Sequence, residues 1–187
     1  MKESKTQVLF YIGILILVFS YIAAFLKIYN WYFPAVIGAF LVFDSRTNKS
    51  TLNILFSNKK KFLKIYLAML ALGLSIEATG RYLLHLWYYP YINSLTHEIL
   101  LFLFYPFILI SFREMYNSVN KVVKNRLSFI LTMLLGILLW EVPNLFSGDW
   151  IYSFPGPGLV GINPIFILGW ILLIGLPVFI FNEYLDV

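Results

Sequence analysis

Three glutamates stand where a hydrophobic chain should not carry them. Glu77, Glu98 and Glu141 each fall within a long apolar run of this 187-residue sequence. Carboxyls in such surroundings are costly, and they mark proton relays, ion paths or ligand sites. Counted from the basic ends of their runs, Glu77 lies 12 residues from Ile65, Glu98 14 from Phe112 and Glu141 14 from Leu127. At the helical rise these depths are roughly 18 to 21 Å, so three helices would bring their carboxyls to one level. The chemistry such a layer offers is proton transfer. Glu98 opens its run behind Ser94 or Thr96, where the helix dipole favours a carboxylate. Glu141 nearly closes its run; there dipole and burial both oppose ionisation, which makes it a candidate proton donor. Glu77, Arg81 and His85 recur at i, i+4 and i+8, a stripe on one helix face. His97, Asn144 and Asp149 add polar groups at the same end. The same residues also admit a plain structural account. Glu77 with Arg81 would be an intrahelical ion pair, Glu98 a helix-start stabiliser, and all three would be wet if the helices end lower.

The elements that must position these groups are membrane-spanning helices. Sixty per cent of the residues are apolar and only 12% charged, about half the charge of a soluble domain. Too little polar surface remains to coat a water-soluble globule. Six apolar runs follow one another, over residues 8–26, 28–43, 65–84, 95–112, 127–143 and 164–181. Most approach the ~20 residues that cross a bilayer; the second is short and needs tilt or local thinning. The expected fold is an all-α, polytopic bundle of six helices in three hairpins, a single membrane domain over 1–187. Absence of cysteine excludes disulfides, thiolate metal sites and cysteine nucleophiles. Two histidines, His85 and His97, are too few for haem or di-iron chemistry. No metal and no cofactor is expected.

With the N-terminus inside, 12 of the 14 lysines and arginines, Arg113 among them, fall in the inner segments. Only Lys27 and Arg81 lie outside, which orients both termini to the cytoplasm under the positive-inside rule. The location implied is a prokaryotic plasma membrane. The net charge of +5 thus faces lipid headgroups, and no nucleic acid is expected. The inner stretch Asp44–Lys64, with its apolar island Leu52–Phe56, reads as a solvated connector. The outer loops share a pattern of tryptophan, tyrosine and proline: YNWYFP (Tyr29–Pro34), HLWYYP (His85–Pro90) and DWIYSFP (Asp149–Pro155). Either three related hairpins or an ordinary aromatic belt produces it. The stretch Phe154–Gly161 reads as a loop, Pro106 as a site for a kink, and Gly38, Gly73 and Gly136 as points of close helix packing.

The segment IEATGRYLLHLWYYPYINSLTHEILLFLFYPF (Ile76–Phe107) resembles the repeat unit of the lycopene cyclase domain family. That unit has an acidic residue ending one helix, a tryptophan-containing loop and a glutamate opening the next helix. Here Glu77, Trp87 and Glu98 occupy those places. A second copy runs over Leu139–Phe166, with Glu141, Trp150 and the Gly161–Pro164 turn. Two departures stand out: no glutamate follows Pro164, and Thr96-His97-Glu98 replaces the family's paired glutamates after proline. The resemblance implies a small helical membrane enzyme that protonates an isoprenoid polyene and guides a carbocation.

Three functions are compatible with these features. The first is a cofactor-independent isomerase or cyclase on a membrane-soluble isoprenoid, carotenoid or lipid. Its catalytic residues would be Glu77, Glu98 and Glu141, with Arg81, His97, Trp87, Tyr89, Asn144, Trp150 and Tyr152 around the substrate. The second is a small-ligand-binding or transport subunit, since six helices in under 200 residues is the size of vitamin-binding importer subunits. The third is a non-catalytic scaffold whose basic loops meet anionic lipid. The partners expected are membrane lipids and a hydrophobic small molecule; the oligomeric state is left open.

Overall fold

A computed structural model describes residues 3–47, 50–90, 95–123, 126–154 and 163–183. The chain opens with α1 (Glu3–Phe25) and α2 (Tyr32–Asp44), a hairpin whose backbones touch at two glycines. A Cβ on Gly13 would sit 2.8 Å from the Gly38 carbonyl oxygen, and one on Gly38 2.9 Å from that of Gly13. Small residues on facing helices permit this approach. Next comes α3 (Thr51–Ser57), whose N-cap Ser50 accepts a bond from the Asn53 amide. The apolar island Leu52–Phe56 of the inner connector thus lies in a short helix. Ser50 caps this short helix, and Asn58 caps the following one by accepting from the Lys61 amide.

Helix α4 (Lys59–Glu77) ends in a π-helical turn, Ala78–Leu83, followed by strand β1 (Trp87–Tyr88). Helix α5 (Leu95–Val122) is the longest element and packs against α2, α4, α6 and α8. Pro106 lies inside it without ending it. After α6 (Arg126–Gly136) comes a second π-helical turn, Ile137–Glu141, then α7 (Val142–Ser147), strand β2 (Ile151–Tyr152) and α8 (Pro164–Glu183). The two strands pair antiparallel, Trp87 opposite Tyr152 and Tyr88 opposite Ile151.

Among the described residues five helical stretches are long and apolar enough to cross a membrane; α2, at 13 residues, is shorter. Polarity is inverted relative to a soluble protein. Arg113, Glu114, Thr51 and Ser128 are buried, while Tyr11, Leu15, Phe19, Leu67 and Leu168 are exposed. Lipid, not water, suits that outer surface. One placement corrects the sequence reading. Helix α5 runs on past Phe112, so Arg113 is an interior residue rather than part of an inner loop.

Candidate active site under an aromatic ribbon

The two π-helical turns and the two strands form one site. In a strand, alternate side chains share a face. Tyr88 and Ile151 point outward and are exposed. Trp87, Tyr89, Trp150 and Tyr152 share the opposite, inward face. Leu86 extends the pairing by accepting from the Ser153 amide at 2.9 Å. The ribbon is thus an aromatic roof on the helix bundle.

Beneath it lie two of the three predicted carboxyls. Glu77, 4% exposed, accepts from the Tyr89 hydroxyl at 2.9 Å. Its other oxygen, Oε2, is buried without a hydrogen bond. The Trp87 indole and the Tyr105 hydroxyl of α5 lie against the same carboxyl. Glu141, 5% exposed, accepts from the Tyr152 hydroxyl at 2.5 Å, with the Trp150 and Trp170 indoles against it. The arrangement occurs twice: a glutamate at a π-helical turn, a strand with tryptophan and tyrosine two residues apart, and the tyrosine bonded back to the glutamate. The α1–α2 hairpin has no such glutamate. Its Trp31 instead donates to Ser147 Oγ at 2.7 Å and stacks on Trp150 at 6.0 Å.

Glycine makes the first fold-back possible. A Cβ at Gly80 would fall 1.8 Å from Trp87 Cη2, so no other residue lets the indole lie on the turn. The π-helical turn bonds Leu84 N–H to the Thr79 carbonyl, and Leu86 N–H to that of Gly80. Such turns re-aim the residues beside them and recur at functional sites.

The stripe of Glu77, Arg81 and His85 does not form as expected, because the π-helical turn changes the register. Arg81 swings to Glu98, 2.9 Å away, and lies over the Tyr82 and Tyr89 rings. His85 lies beyond the turn with a positive φ of 50°. Glu98, 44% exposed at its side chain, sits at the rim and not under the roof. His97 is buried, bonded to the Tyr32 hydroxyl at 3.2 Å and Asn30 Oδ1 at 3.1 Å. Asn144 was expected to meet substrate, but both ends of its amide hold the Trp150 backbone, donating at 2.9 Å and accepting at 3.1 Å. These bonds hold the backbone just before β2. Asp149 accepts from the Asn30 amide at 2.8 Å, tying β2's approach to the α1–α2 turn; burial pushes its carboxyl up to about 6. Ser94 and the Phe154–Gly161 loop beyond Phe154 lie outside the described residues, as does Gly161 of the expected Gly161–Pro164 turn.

Two features escaped the sequence. Tyr105 looked like one more aromatic in an apolar run. A second buried polar cluster lies at the other end of α5. There Glu114 Oε1 accepts from Arg113 Nη1 at 2.7 Å and from the Thr51 hydroxyl at 2.5 Å. Asn117, with its amide oxygen toward the guanidinium, accepts from Arg113 Nε at 2.9 Å. Nearby, Asp44 accepts from the Ser50 hydroxyl at 2.6 Å and the Leu52 amide at 3.1 Å. The adjacent Arg-Glu pair directly after an apolar run was the available signal. Among the described residues no cluster has the ligands for a metal ion.

No family model, no curated protein and no solved structure matches this chain.

Proposed function

We propose that the chain is a six-span membrane protein, with α2 as the short span and both termini cytoplasmic, that protonates a membrane-soluble isoprenoid polyene at Glu141. Orientation is supported by Arg46, Lys59, Lys60, Lys61, Lys64, Lys121 and Arg126 at the α3 end, against Lys27 and Arg81 at the ribbon end. The carrying observation is the pair of buried glutamate–tyrosine contacts under one aromatic roof. Among the described residues no cation pairs with Glu141, whereas Arg81 stands within electrostatic reach of Glu77. That asymmetry supports Glu141 as acid and Glu77 as the carboxylate that takes a proton back. In this reading the Glu141 proton adds to a terminal carbon–carbon double bond, whose electron pair forms the new C–H bond. A neighbouring double bond attacks the resulting cation and closes a ring. Loss of a proton to Glu77 restores a double bond, so the product is an isomer. Faces of Trp87, Tyr89, Trp150 and Tyr152 stabilise the cation.

The test is turnover of an acyclic carotenoid by the protein in lipid nanodiscs made up in D2O. A cyclised product carrying one deuterium is expected. Glu141→Gln should lower the rate by roughly 10²- to 10⁴-fold, and an unchanged rate removes Glu141 from the chemistry. One observation favours a second reading, a non-catalytic scaffold. A gap too narrow for water is lined by Ala39, Phe112 and Trp140, and none of the three glutamates lines it. Absence of turnover in the wild-type protein would favour that reading.

A further inference from the structure

The α3 end carries basic residues of two kinds. Arg46 lies over the Phe10 ring at 4.2 Å, and Lys121 donates to the Arg46 carbonyl, so both are engaged within the chain. Lys59, Lys60 and Lys64 are exposed, and among the described residues none of them pairs with a carboxylate. The Asp44 and Glu114 carboxyls of this end are buried and already bonded by the Ser50 and Thr51 hydroxyls. Position matters here more than number. Lys59–Leu83 is one of the stretches long and apolar enough to cross a membrane, so its first two turns lie at headgroup level. Residues three and four apart share a helix face. Lys60 and Lys64 thus stand in line with Leu63, Leu67 and Leu74, all exposed, whereas Ile65 and Met69 turn inward and are buried. Two ammonium groups cap an apolar stripe. Helix α3 packs against α4, its start fixed by the Thr51–Glu114 bond, and Phe56 near its other end is 74% exposed.

We infer that this face of α4 binds an anionic phospholipid, with Lys60 and Lys64 on its phosphate and its acyl chain along Leu63, Leu67 and Leu74. Lysine stems follow apolar surface while the ammonium reaches the headgroup, and lysines beside a span attract anionic lipid. A zwitterionic headgroup carries its own cation and gains less from the pair. Phe56 sinks into the boundary between headgroups and acyl chains, as the apolar side of an interfacial segment does. The lipid supplies the negative charge that the buried carboxyls of this end do not. The site rests only on the chain's spanning a membrane and is independent of the acid chemistry at the ribbon end.

The test needs no turnover. The full chain is placed in nanodiscs of equal phosphatidylglycerol and phosphatidylcholine and extracted in mild detergent. Native mass spectrometry then counts the lipids it retains. Phosphatidylglycerol should be kept over phosphatidylcholine by roughly ten-fold. Lys60→Gln with Lys64→Gln should remove most of that preference. Lys121→Gln with Arg126→Gln takes the same charge from the same end and should leave the preference in place. Equal retention of the two lipids by the wild type overturns the site and leaves this face to an acidic soluble partner. A preference that survives loss of Lys60 and Lys64, or that falls as far in the second pair, overturns it too, because the charge then acts diffusely.

Discussion

The two ends of this bundle bury carboxyls by opposite means. At the α3 end Glu114 is held by the guanidinium of Arg113 and the Thr51 hydroxyl, with Arg113 itself over the Phe181 ring. At the ribbon end Glu77 and Glu141 are bonded by neutral tyrosine hydroxyls, and the nearest guanidinium, Arg81, is bonded to Glu98. A carboxylate locked to a buried arginine braces helices but has little freedom to exchange a proton. A carboxyl facing a tyrosine can give or take one without leaving a bare charge behind. The first kind of site braces the fold; the second is the kind that the proposed acid chemistry requires.

Breaking the brace should produce the largest effect. Arg113→Ala leaves Glu114 charged and unpaired in the interior, which should cost about 3–5 kcal/mol of unfolding free energy in detergent micelles. Replacing both, Arg113→Met with Glu114→Leu, should recover most of that loss. Glu141→Gln keeps an acceptor for Tyr152 and should cost about 1 kcal/mol or less. If Arg113→Ala proved as mild as Glu141→Gln, the contrast between the two ends would collapse.

The roof comes next. Gly80→Ala drives a methyl group into Trp87, so the ribbon must lift from Glu77. Overpacking of this kind costs about 1–3 kcal/mol. Tryptophan fluorescence should move toward that of a more solvated indole, and unchanged emission would mean that the roof is not held by this contact.

Much of this architecture was legible in residue order. The five long helices were visible as apolar runs, and Gly38, Gly73 and Gly136 all receive a close neighbour: the α1 backbone, Tyr105 and Trp170. Glu77 and Glu141 were recognisable because a carboxyl in an apolar run has no cheap explanation. The partnership of Arg81 with Glu98 was not legible, because straight helical counting assumes 3.6 residues per turn and the π-helical turn departs from it. Tyr105 was hidden by composition, since its hydroxyl meets Glu77 only once α4 and α5 pack together. Arg113 was misread because loop membership was inferred from charge; the Glu114 beside it and the distant Thr51 make its burial tolerable.

Asp149 sharpens the comparison by its pH dependence, since it lies in the loop at the ribbon end. Its carboxyl rises from 3.8 to about 6 through burial, against the lowering influence of the Asn30 amide. The folded protein therefore holds a proton that the unfolded chain releases. Its contribution to stability is full below 3.8, declines as pH rises, and is gone above about 6. Thermal unfolding of the wild type and Asp149→Asn should diverge across that window, the variant lacking this component of the slope. Parallel curves would show that Asp149 is not the group responsible.

The smallest effect is expected at the rim, where it separates position from chemistry. Arg81 and Glu98 form a partly exposed ion pair, and such pairs contribute about 0–1 kcal/mol. Glu98→Gln should therefore leave unfolding nearly unchanged, in contrast to Arg113→Ala on the same helix. It should also spare most turnover, because Glu98 lies outside the aromatic roof although its place in the sequence matches that of the two buried glutamates. A loss of turnover as deep as that of Glu141→Gln would bring the rim into the reacting centre. The charged pair at the ribbon end would then be part of the acid–base machinery, and the division between a bracing end and a proton-handling end would have to be redrawn through Arg81.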